Sequence, residues 1–128
     1  MEESVPVPVL FNTCYGGWHP SEKATALYNE RNPGGADNLY SIKCRRDPIL
    51  VQIFRELGPE FNGGFSKTEI KMIDAKYINY YTIREYDGME SIVINYHKYT
   101  LDSLKIVLNT TDLSSDEKVR RFQEILGV

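Results

Sequence analysis

The residues of this chain best placed to do chemistry are the six consecutive residues Asn12, Thr13, Cys14, Tyr15, Gly16 and Gly17. They follow the apolar run Val5 to Phe11 and precede a helix that the sequence predicts to begin near Ser21. Where a strand ends in glycines and a helix follows, backbone N–H groups can point at a bound anion. The run has neither G-x-G-x-x-G nor a P-loop pattern, so neither dinucleotide nor P-loop binding is predicted. The alternative is structural, with Gly16 and Gly17 forming only a tight turn.

Two arginines stand directly before the second predicted helix. Arg45 and Arg46 precede Asp47, the expected N-cap, and positive charge is unfavourable there because helix N-termini prefer anions. An anionic ligand beside the glycine turn would compensate for this charge, since a guanidinium group suits phosphate or carboxylate. In the alternative interpretation, both arginines pair with surface carboxylates or remain in water.

Together these features predict a pocket for a phosphorylated or nucleotide-like small molecule, without a cofactor. Backbone amides of the turn would hold the anion, an arginine would neutralise it, and an aromatic ring would cover its apolar part. The predicted ligand-binding residues are Asn12, Thr13, Tyr15, Gly16, Gly17, Arg45, Arg46, Asp47, Tyr81 and Tyr86.

Catalytic and metal sites receive weaker support from the sequence. Cys14 is a candidate nucleophile with His19 or His97 as its base, because a thiol near a helix N-terminus can have a depressed pKa. A cysteine at the end of an apolar strand is more often a small buried hydrophobe. The two cysteines and two histidines have no metal-ligand spacing, so no metal site is predicted. Glu85 and Glu90 are expected to be cross-strand surface residues.

Composition and charge exclude several classes of protein. Fifteen basic and eighteen acidic residues give a net charge of −3, and without a long basic run there is no strong nucleic-acid signal. No segment approaches the ~20 apolar residues that cross a bilayer. The acidic, proline-broken N-terminus does not predict secretion. We therefore expect a cytoplasmic protein with both thiols reduced.

Local patterns predict most of the secondary structure. Strands are predicted at residues 5–13, of which only 9–13 could be internal to a sheet because of Pro6 and Pro8, and at residues 68–74, 77–86 and 89–96. Helices are predicted at residues 21–31, 47–58 and 114–127. Asp87-Gly88 between two strand-like runs indicates a two-residue hairpin turn.

Two segments have weaker patterns. Residues 36–44 are predicted to be a loop with a short strand at residues 39–42. Thr100 is an expected cap for a short helix that carries Leu101, Leu104 and Leu108, although residues 105–108 also suit a strand.

This order of elements predicts an α+β fold. Helices would pack on a mainly antiparallel sheet of about four strands, and residues 1–128 would form a single domain. Residues 101–128 would be a C-terminal helical extension of that domain.

Three sequence blocks, taken in order, resemble a known family. They are Asn12 to Gly17, then Arg46-Asp47-Pro48, then Glu85-Tyr86-Asp87-Gly88. With Ser21, Ala24, Glu56-Leu57-Gly58 and Glu90, they are similar to small uncharacterised proteins of bacteriophages and large DNA viruses. The chain departs from that pattern at Trp18-His19-Pro20, at Tyr96 to Tyr99 and in its C-terminal extension. The resemblance implies a viral origin and no particular activity.

Two functions follow as hypotheses. In the first, a small viral protein in the host cytoplasm binds an anionic small molecule at the strand, glycine turn and helix. In the second, the protein is virion-associated or interacts with a host protein, its C-terminal helix is the contact and the glycine turn is only structural. A homo-oligomer is compatible with both hypotheses. An enzyme that uses Cys14 is a third interpretation.

Overall fold

The computed structural model describes residues 5–35, 39 and 41–128, and its strands form two antiparallel pairs. Strand β1 (Pro6–Asn12) pairs with β2 (Thr68–Asp74), with Val9 opposite Lys71. Strand β3 (Tyr81–Tyr86) pairs with β4 (Met89–Ile94). The predicted α+β class is confirmed. The four strands belong to two separate two-stranded sheets and do not form one continuous sheet.

The turn between β3 and β4 has the predicted conformation. Asp87 and Gly88 have φ values of 53° and 89°, the positive angles that a type I′ turn requires at both central positions. The Glu85 side chain accepts a hydrogen bond from the Gly88 N–H at 2.8 Å, which further fixes the turn.

The first two helices begin at the residues that the sequence predicts. Helix α1 (Glu22–Arg31) is capped by Ser21, whose hydroxyl accepts from the Ala24 N–H. Helix α2 (Pro48–Leu57) is capped by Asp47, whose carboxylate accepts from the Ile49 N–H at 2.9 Å. Gly58 ends α2 with a positive φ of 57°. These are the capping preferences from which both helices were predicted.

Helix α3 (Tyr96–Asn109) begins earlier than predicted. Asn95 caps it by accepting from the Lys98 N–H at 3.0 Å, so both the Thr100 start and the strand at residues 105–108 are wrong. The Tyr77 ring lies 5.0 Å from the Tyr96 ring and 4.9 Å from the Tyr99 ring, both edge-on. This aromatic packing stabilises the first turn of α3, although its tyrosines favour strands by propensity.

Helix α4 (Ser115–Leu126) confirms the prediction for the C-terminus. Ser114 caps it by accepting from the Glu117 N–H, and Gly127 follows in the left-handed conformation. The Glu117 carboxylate pairs with Arg120 and Arg121.

Several predicted strands have different boundaries in the structure. Among them, β1 is Pro6–Asn12 rather than residues 5–13, and β4 ends at Ile94 rather than at residue 96. Residues Ile42–Arg46 form a 3-10 helix, so the strand predicted at residues 39–42 is wrong at Ile42, and Tyr40 in that segment lies outside the described residues. The strand predicted to begin at Tyr77 begins at Tyr81, because Ala75–Tyr77 form a 3-10 helix capped by Asp74.

The core lies on both faces of the β1–β2 pair. Leu10 belongs to a cluster with residues of α1 and α2, whereas the neighbouring Val9 packs with Ile73 and Ile92. Successive strand side chains point to opposite faces. Helices α1 and α2 therefore cover one face of β1–β2, and the β3–β4 hairpin covers the other.

Candidate functional site

Three segments that are distant in the sequence meet at the end of β1. The Gly16 N–H donates to the Asp87 carbonyl at 3.2 Å, the Asn12 side chain donates to the Gly88 carbonyl at 2.7 Å, and Arg45 pairs with Glu90. We call residues 12–17, residues 85–90 and Arg45 the turn corner. The sequence prediction that the glycine turn and an arginine lie close together is therefore correct for Arg45.

Asn12 holds the turn corner together. Its side chain is fully buried, and its amide group donates to the carbonyls of Cys14 and Gly88, both at 2.7 Å. Its side-chain oxygen accepts from the N–H groups of Lys67, at 2.8 Å, and Cys14, at 3.3 Å. A single amide thus satisfies four backbone groups from three segments, and this fixes the geometry of the turn.

Arg45 and Glu90 form a buried, two-pronged ion pair. The two guanidinium nitrogens Nη1 and Nη2 lie 2.6 and 2.8 Å from the two Glu90 oxygens. The Arg45 and Glu90 side chains are only 7% and 8% exposed. The Arg45 guanidinium also stacks on the Trp18 ring, 3.9 Å from its centroid. This is the planar, paired arrangement to which arginine is best suited.

The sequence predicts a bound anion beside the glycine turn and an arginine. In the structure, the negative charge there belongs to a side chain of the protein itself, Glu90. One Glu90 oxygen accepts from both Arg45 and the Asn12 backbone N–H, the latter at 2.8 Å. An arginine and a backbone amide at the end of a strand therefore do converge on a negative charge, as predicted, but the charge is a side-chain carboxylate. Arg45 is consequently not free to bind a ligand. The expectation that Glu90 lies on the surface is wrong.

The burial of Glu90 has a sequence signal that the prediction missed. Glu90 precedes Ile92 and Ile94 by two and four residues, and side chains at this spacing share one face of a strand. Ile92 and Ile94 belong to the core between the sheets. Glu90 is therefore on the buried face, where a carboxylate requires a cationic partner.

Arg46 and Asp47 point away from this ion pair. Arg46 donates to the Ile78 carbonyl at 2.9 Å. Asp47 caps α2 and accepts from the Tyr28 hydroxyl at 2.6 Å. Burial raises the pKa of Tyr28, and its hydrogen bond to Asp47 acts in the same direction. Neither predicted residue faces the glycine turn.

Tyr81 belongs to the core and not to a pocket at the turn corner. It packs with the cluster between the two sheets. Burial raises the pKa of its hydroxyl, while the positive charges of Arg46 and Arg45 act in the opposite direction. Tyr81 thus lies within electrostatic range of both arginines but packs in the core.

The glycines of the turn corner allow two turns to approach each other. A Cβ atom on Gly88 would lie 2.2 Å from the Gly17 nitrogen and 2.4 Å from the Gly16 nitrogen. Gly16 and Gly17 have φ values of 105° and 88°, which side chains disfavour. The structural interpretation of Gly16-Gly17 therefore explains both residues without a ligand.

The remaining predicted ligand residues are exposed or bonded within the corner. Tyr15 is 52% exposed and Tyr86 is 80% exposed. Thr13 uses both its N–H and its hydroxyl to bond the Lys67 carbonyl. No contact joins Tyr15 to Tyr86 in the described part of the chain, so these rings do not close a pocket over an anion.

The candidate catalytic pair is not assembled. Cys14 and Cys44 form no disulfide, and within residues 5–35, 39 and 41–128 no hydrogen bond joins the Cys14 thiol to His19. The His19 ring lies against Gly63, where a Cβ would be 2.4 Å from it. Among the same residues, no three His, Cys, Asp or Glu side chains come close enough to share a metal ion.

An open apolar groove lies on the C-terminal helices. Helices α3 and α4 form an antiparallel pair, because Lys118 near the start of α4 donates to the Leu108 carbonyl near the end of α3. The groove has a volume of about 270 Å³ and is lined by Leu101, Leu104, Lys105, Leu108, Phe122 and Leu126. We call these six residues the helical-hairpin groove.

The apolar residues of the groove remain in contact with solvent. Leu101, Leu108 and Leu126 are 44%, 59% and 54% exposed. Leu101, Leu104 and Leu108 follow the i, i+3, i+7 spacing, and Val119, Phe122 and Leu126 repeat it on α4. Two such stripes on adjacent helices are typical of a face that packs against further helices.

Several charged side chains of α3 and α4 are paired within the same helix. Lys98 pairs with Asp102 on α3, and on α4 Arg120 pairs with both Glu117 and Glu124. Hydrogen bonds from Arg120 and Arg121 lower the pKa of Glu117 to about 2. The groove itself is lined by five apolar side chains and by Lys105.

Comparison of the chain with protein-family models, curated proteins and solved structures gives no match. Within the described residues, none of the helices combines the length and the apolar character needed to span a membrane. The resemblance to proteins of bacteriophages and large DNA viruses stays a prediction.

Proposed function

We propose that this chain is a protein-interaction module whose contact surface is the helical-hairpin groove. The observation that carries the proposal is the pair of matched apolar stripes on α3 and α4. All of their residues except Val119 line one groove, and Leu101, Leu108 and Leu126 are exposed. Burial of apolar area drives most protein association. In a viral setting, the partner would be a host protein or a virion component, which is the second of the two functions expected from the sequence.

The geometry of the turn corner favours this function over anion binding. Glu90 occupies the position that the anion would take beside Arg45 and the Asn12 N–H. An external anion would have to displace a carboxylate that makes three short hydrogen bonds in a buried site. Loss of these hydrogen bonds would leave the buried Glu90 carboxylate without Arg45, its ion-pair partner. A buried charge without a partner is energetically unfavourable.

Two matched variants test the proposal. Leu108→Asp places a charge in the groove, whereas Ile106→Asp places it two residues away on the same helix. Ile106 is 69% exposed and is not among the residues that line the groove. Each variant and the wild type would be used as bait, and every captured protein would then be purified and titrated directly against all three.

Partner affinity should fall at least tenfold for Leu108→Asp and remain unchanged for Ile106→Asp. Equal binding by all three baits would contradict the proposal. Thermal-shift titrations of the wild type with inorganic phosphate, ATP and cyclic AMP should give no stabilisation. A saturable shift that Arg45→Met removes would instead support an anionic ligand.

A further inference from the structure

We infer that helices α3 and α4, together called the C-terminal hairpin, unfold locally as one unit while the rest of the domain remains folded. This opening is a property of the free chain and does not depend on a partner in the helical-hairpin groove. Three features of the molecule lead to it. The C-terminal hairpin lies outside the core, it is attached through tyrosine side chains, and an open cleft lies along the attachment.

The C-terminal hairpin contributes little to the hydrophobic core. Among the described residues, neither of the two core clusters includes a residue of α3 or α4. Residues 96–126 are all described, and Val107 is the single buried residue within them. In α2, by contrast, Leu50, Val51 and Ile53 are buried in the larger cluster. Because apolar burial supplies most of the free energy of folding, the C-terminal hairpin is held less strongly than α2.

Tyrosine side chains attach the C-terminal hairpin to the rest of the domain. The Tyr99 ring on α3 lies 4.9 Å from the Tyr77 ring and 5.3 Å from the Tyr80 ring, both edge-on. The Tyr80 hydroxyl donates to the Asp102 carboxylate at 2.9 Å, and the Tyr80 carbonyl accepts from the Asn95 N–H at 2.7 Å. Tyr77 also packs against the core cluster between the two sheets. Tyr77 therefore links the hairpin to the core through ring contacts.

An open cleft lies along the same attachment. It has a volume of about 280 Å³, with Lys76 and Tyr77 on one side and Ser103 and Ile125 of the two helices on the other. Packed protein interiors have few voids larger than a water molecule. The C-terminal hairpin and the segment before β3 are therefore not tightly packed against each other here.

The two helices are too short to remain folded without this attachment. Helices α3 and α4 have 14 and 12 residues, and isolated helices shorter than about 12–15 residues are marginal in water. Leu101, Leu108 and Leu126 on their facing stripes are still exposed, so packing between α3 and α4 buries only part of each stripe. When the tyrosine contacts break, both helices lose their structure together.

Native-state hydrogen–deuterium exchange of the full chain in low concentrations of urea, resolved by NMR, tests this opening. Relative to unstructured peptides, the amides of Val107 on α3 and Phe122 on α4 should exchange at least tenfold faster than the amide of Phe54 on α2. Val107 and Phe122 should also share one dependence on urea, because they exchange through the same opening.

A core variant separates local from global unfolding. Ile53→Val weakens the core, which stays folded when the hairpin opens. It should therefore speed exchange at Phe54 by about two- to tenfold and leave exchange at Val107 and Phe122 unchanged. If the chain unfolds only as a whole, Ile53→Val will speed exchange at all three amides alike.

Tyr99→Ala tests the attachment, and Tyr86→Ala is its matched control. Tyr99→Ala removes two ring contacts, and alanine is the better helix former, so faster exchange would not come from lower helix propensity. Exchange at Val107 and Phe122 should become at least tenfold faster. Tyr86 is 80% exposed, so Tyr86→Ala should leave these rates unchanged. If Tyr99→Ala removes all protection from the hairpin, Phe54 should still be protected.

Four results would overturn local unfolding of the C-terminal hairpin. They are hairpin amides as well protected as Phe54, different urea dependences at Val107 and Phe122, equal acceleration of all three amides by Ile53→Val, and unchanged hairpin exchange in Tyr99→Ala. No partner is present in these measurements, so any of these results leaves the proposed function of the groove intact.

Discussion

The buried pair of Arg45 and Glu90 gives a stability prediction that can be worked from its geometry. Replacing Glu90 by Gln retains an acceptor for the Asn12 N–H but removes the negative charge that faces a guanidinium only 7% exposed. Breaking a buried pair by removing one partner costs about 3–5 kcal/mol, because a buried charge is left without compensation. At about 4 °C per kcal/mol for a domain of this size, the melting temperature should fall by about 12–20 °C.

Urea denaturation measures this loss of unfolding free energy. A double-mutant cycle then gives the interaction energy between Arg45 and Glu90. Arg45→Met should also be strongly destabilising, since it leaves the Glu90 carboxylate unpaired. The double variant Arg45→Met, Glu90→Gln has no buried charge, and its methionine can still pack on the Trp18 ring. It should be at least about 2 kcal/mol more stable than the sum of the single effects predicts.

An exposed ion pair provides the matched control. Lys23 and Glu60 form a 2.9 Å pair whose side chains are 62% and 66% exposed, so Glu60→Gln should leave the urea midpoint unchanged within error. The reasoning would be refuted if Glu90→Gln shifted the midpoint as little as Glu60→Gln does, or if the single effects of Arg45 and Glu90 simply added. Either result would mean that water reaches the pair.

Three further predictions concern the turn corner and α4. Asn12→Ala should cost about 3 kcal/mol or more in urea unfolding, because four backbone groups lose their partner, and a loss below about 1 kcal/mol would contradict this role. Gly88→Ala should lower the melting temperature far more than Gly34→Ala, since both glycines have positive φ but only the Gly88 Cβ would meet backbone atoms; equal shifts would exclude the close approach. Glu117→Gln should lower the melting temperature at neutral pH. Because the pKa of Glu117 is depressed to about 2, its stabilising contribution is present above its unfolded pKa and is lost as pH falls through the folded value, so the two proteins should converge near pH 2. A difference that does not depend on pH would contradict the pairing with Arg120 and Arg121.

Elements with a local physical cause could be predicted from the sequence. The Asp47 cap with Gly58, the Asp87-Gly88 turn and the Ser114 cap each depend on residues within a few positions. Their hydrogen bonds form within the segment itself. Strand β2 also has the predicted bounds, although its ladder hydrogen bonds are to the distant β1.

The start of α3 could not be predicted in this way. The residues from Tyr96 to Thr100 have side chains that favour strands or caps, and the helix there is stabilised by Tyr77, about twenty residues earlier in the chain. Asn95 is a good N-cap residue and was the available local signal. Tertiary packing therefore outweighs the intrinsic preference of this segment for strand or cap conformations.

The sequence predicted that the glycine turn and an arginine lie close together, but not what that arginine binds. The sequence indicated that the glycine turn and an arginine meet, and Arg45 does lie beside Asn12. It did not identify Glu90 as the negative charge, because that pairing joins residues 45 positions apart. Only the strand alternation with Ile92 and Ile94 indicated that Glu90 is buried. The arrangement of the C-terminal stripes likewise depends on how α3 and α4 pack.

Hydrogen–deuterium exchange of the full chain, alone and bound to a partner protein captured by the wild type, tests most directly whether the helical-hairpin groove is the contact surface. Amides of Leu101 to Leu108 and of Phe122 to Leu126 should become more protected when the partner is bound, while those of the turn corner should not change. Protection that appears at the turn corner instead, or no difference between the free and the bound chain, would contradict the groove as the contact surface.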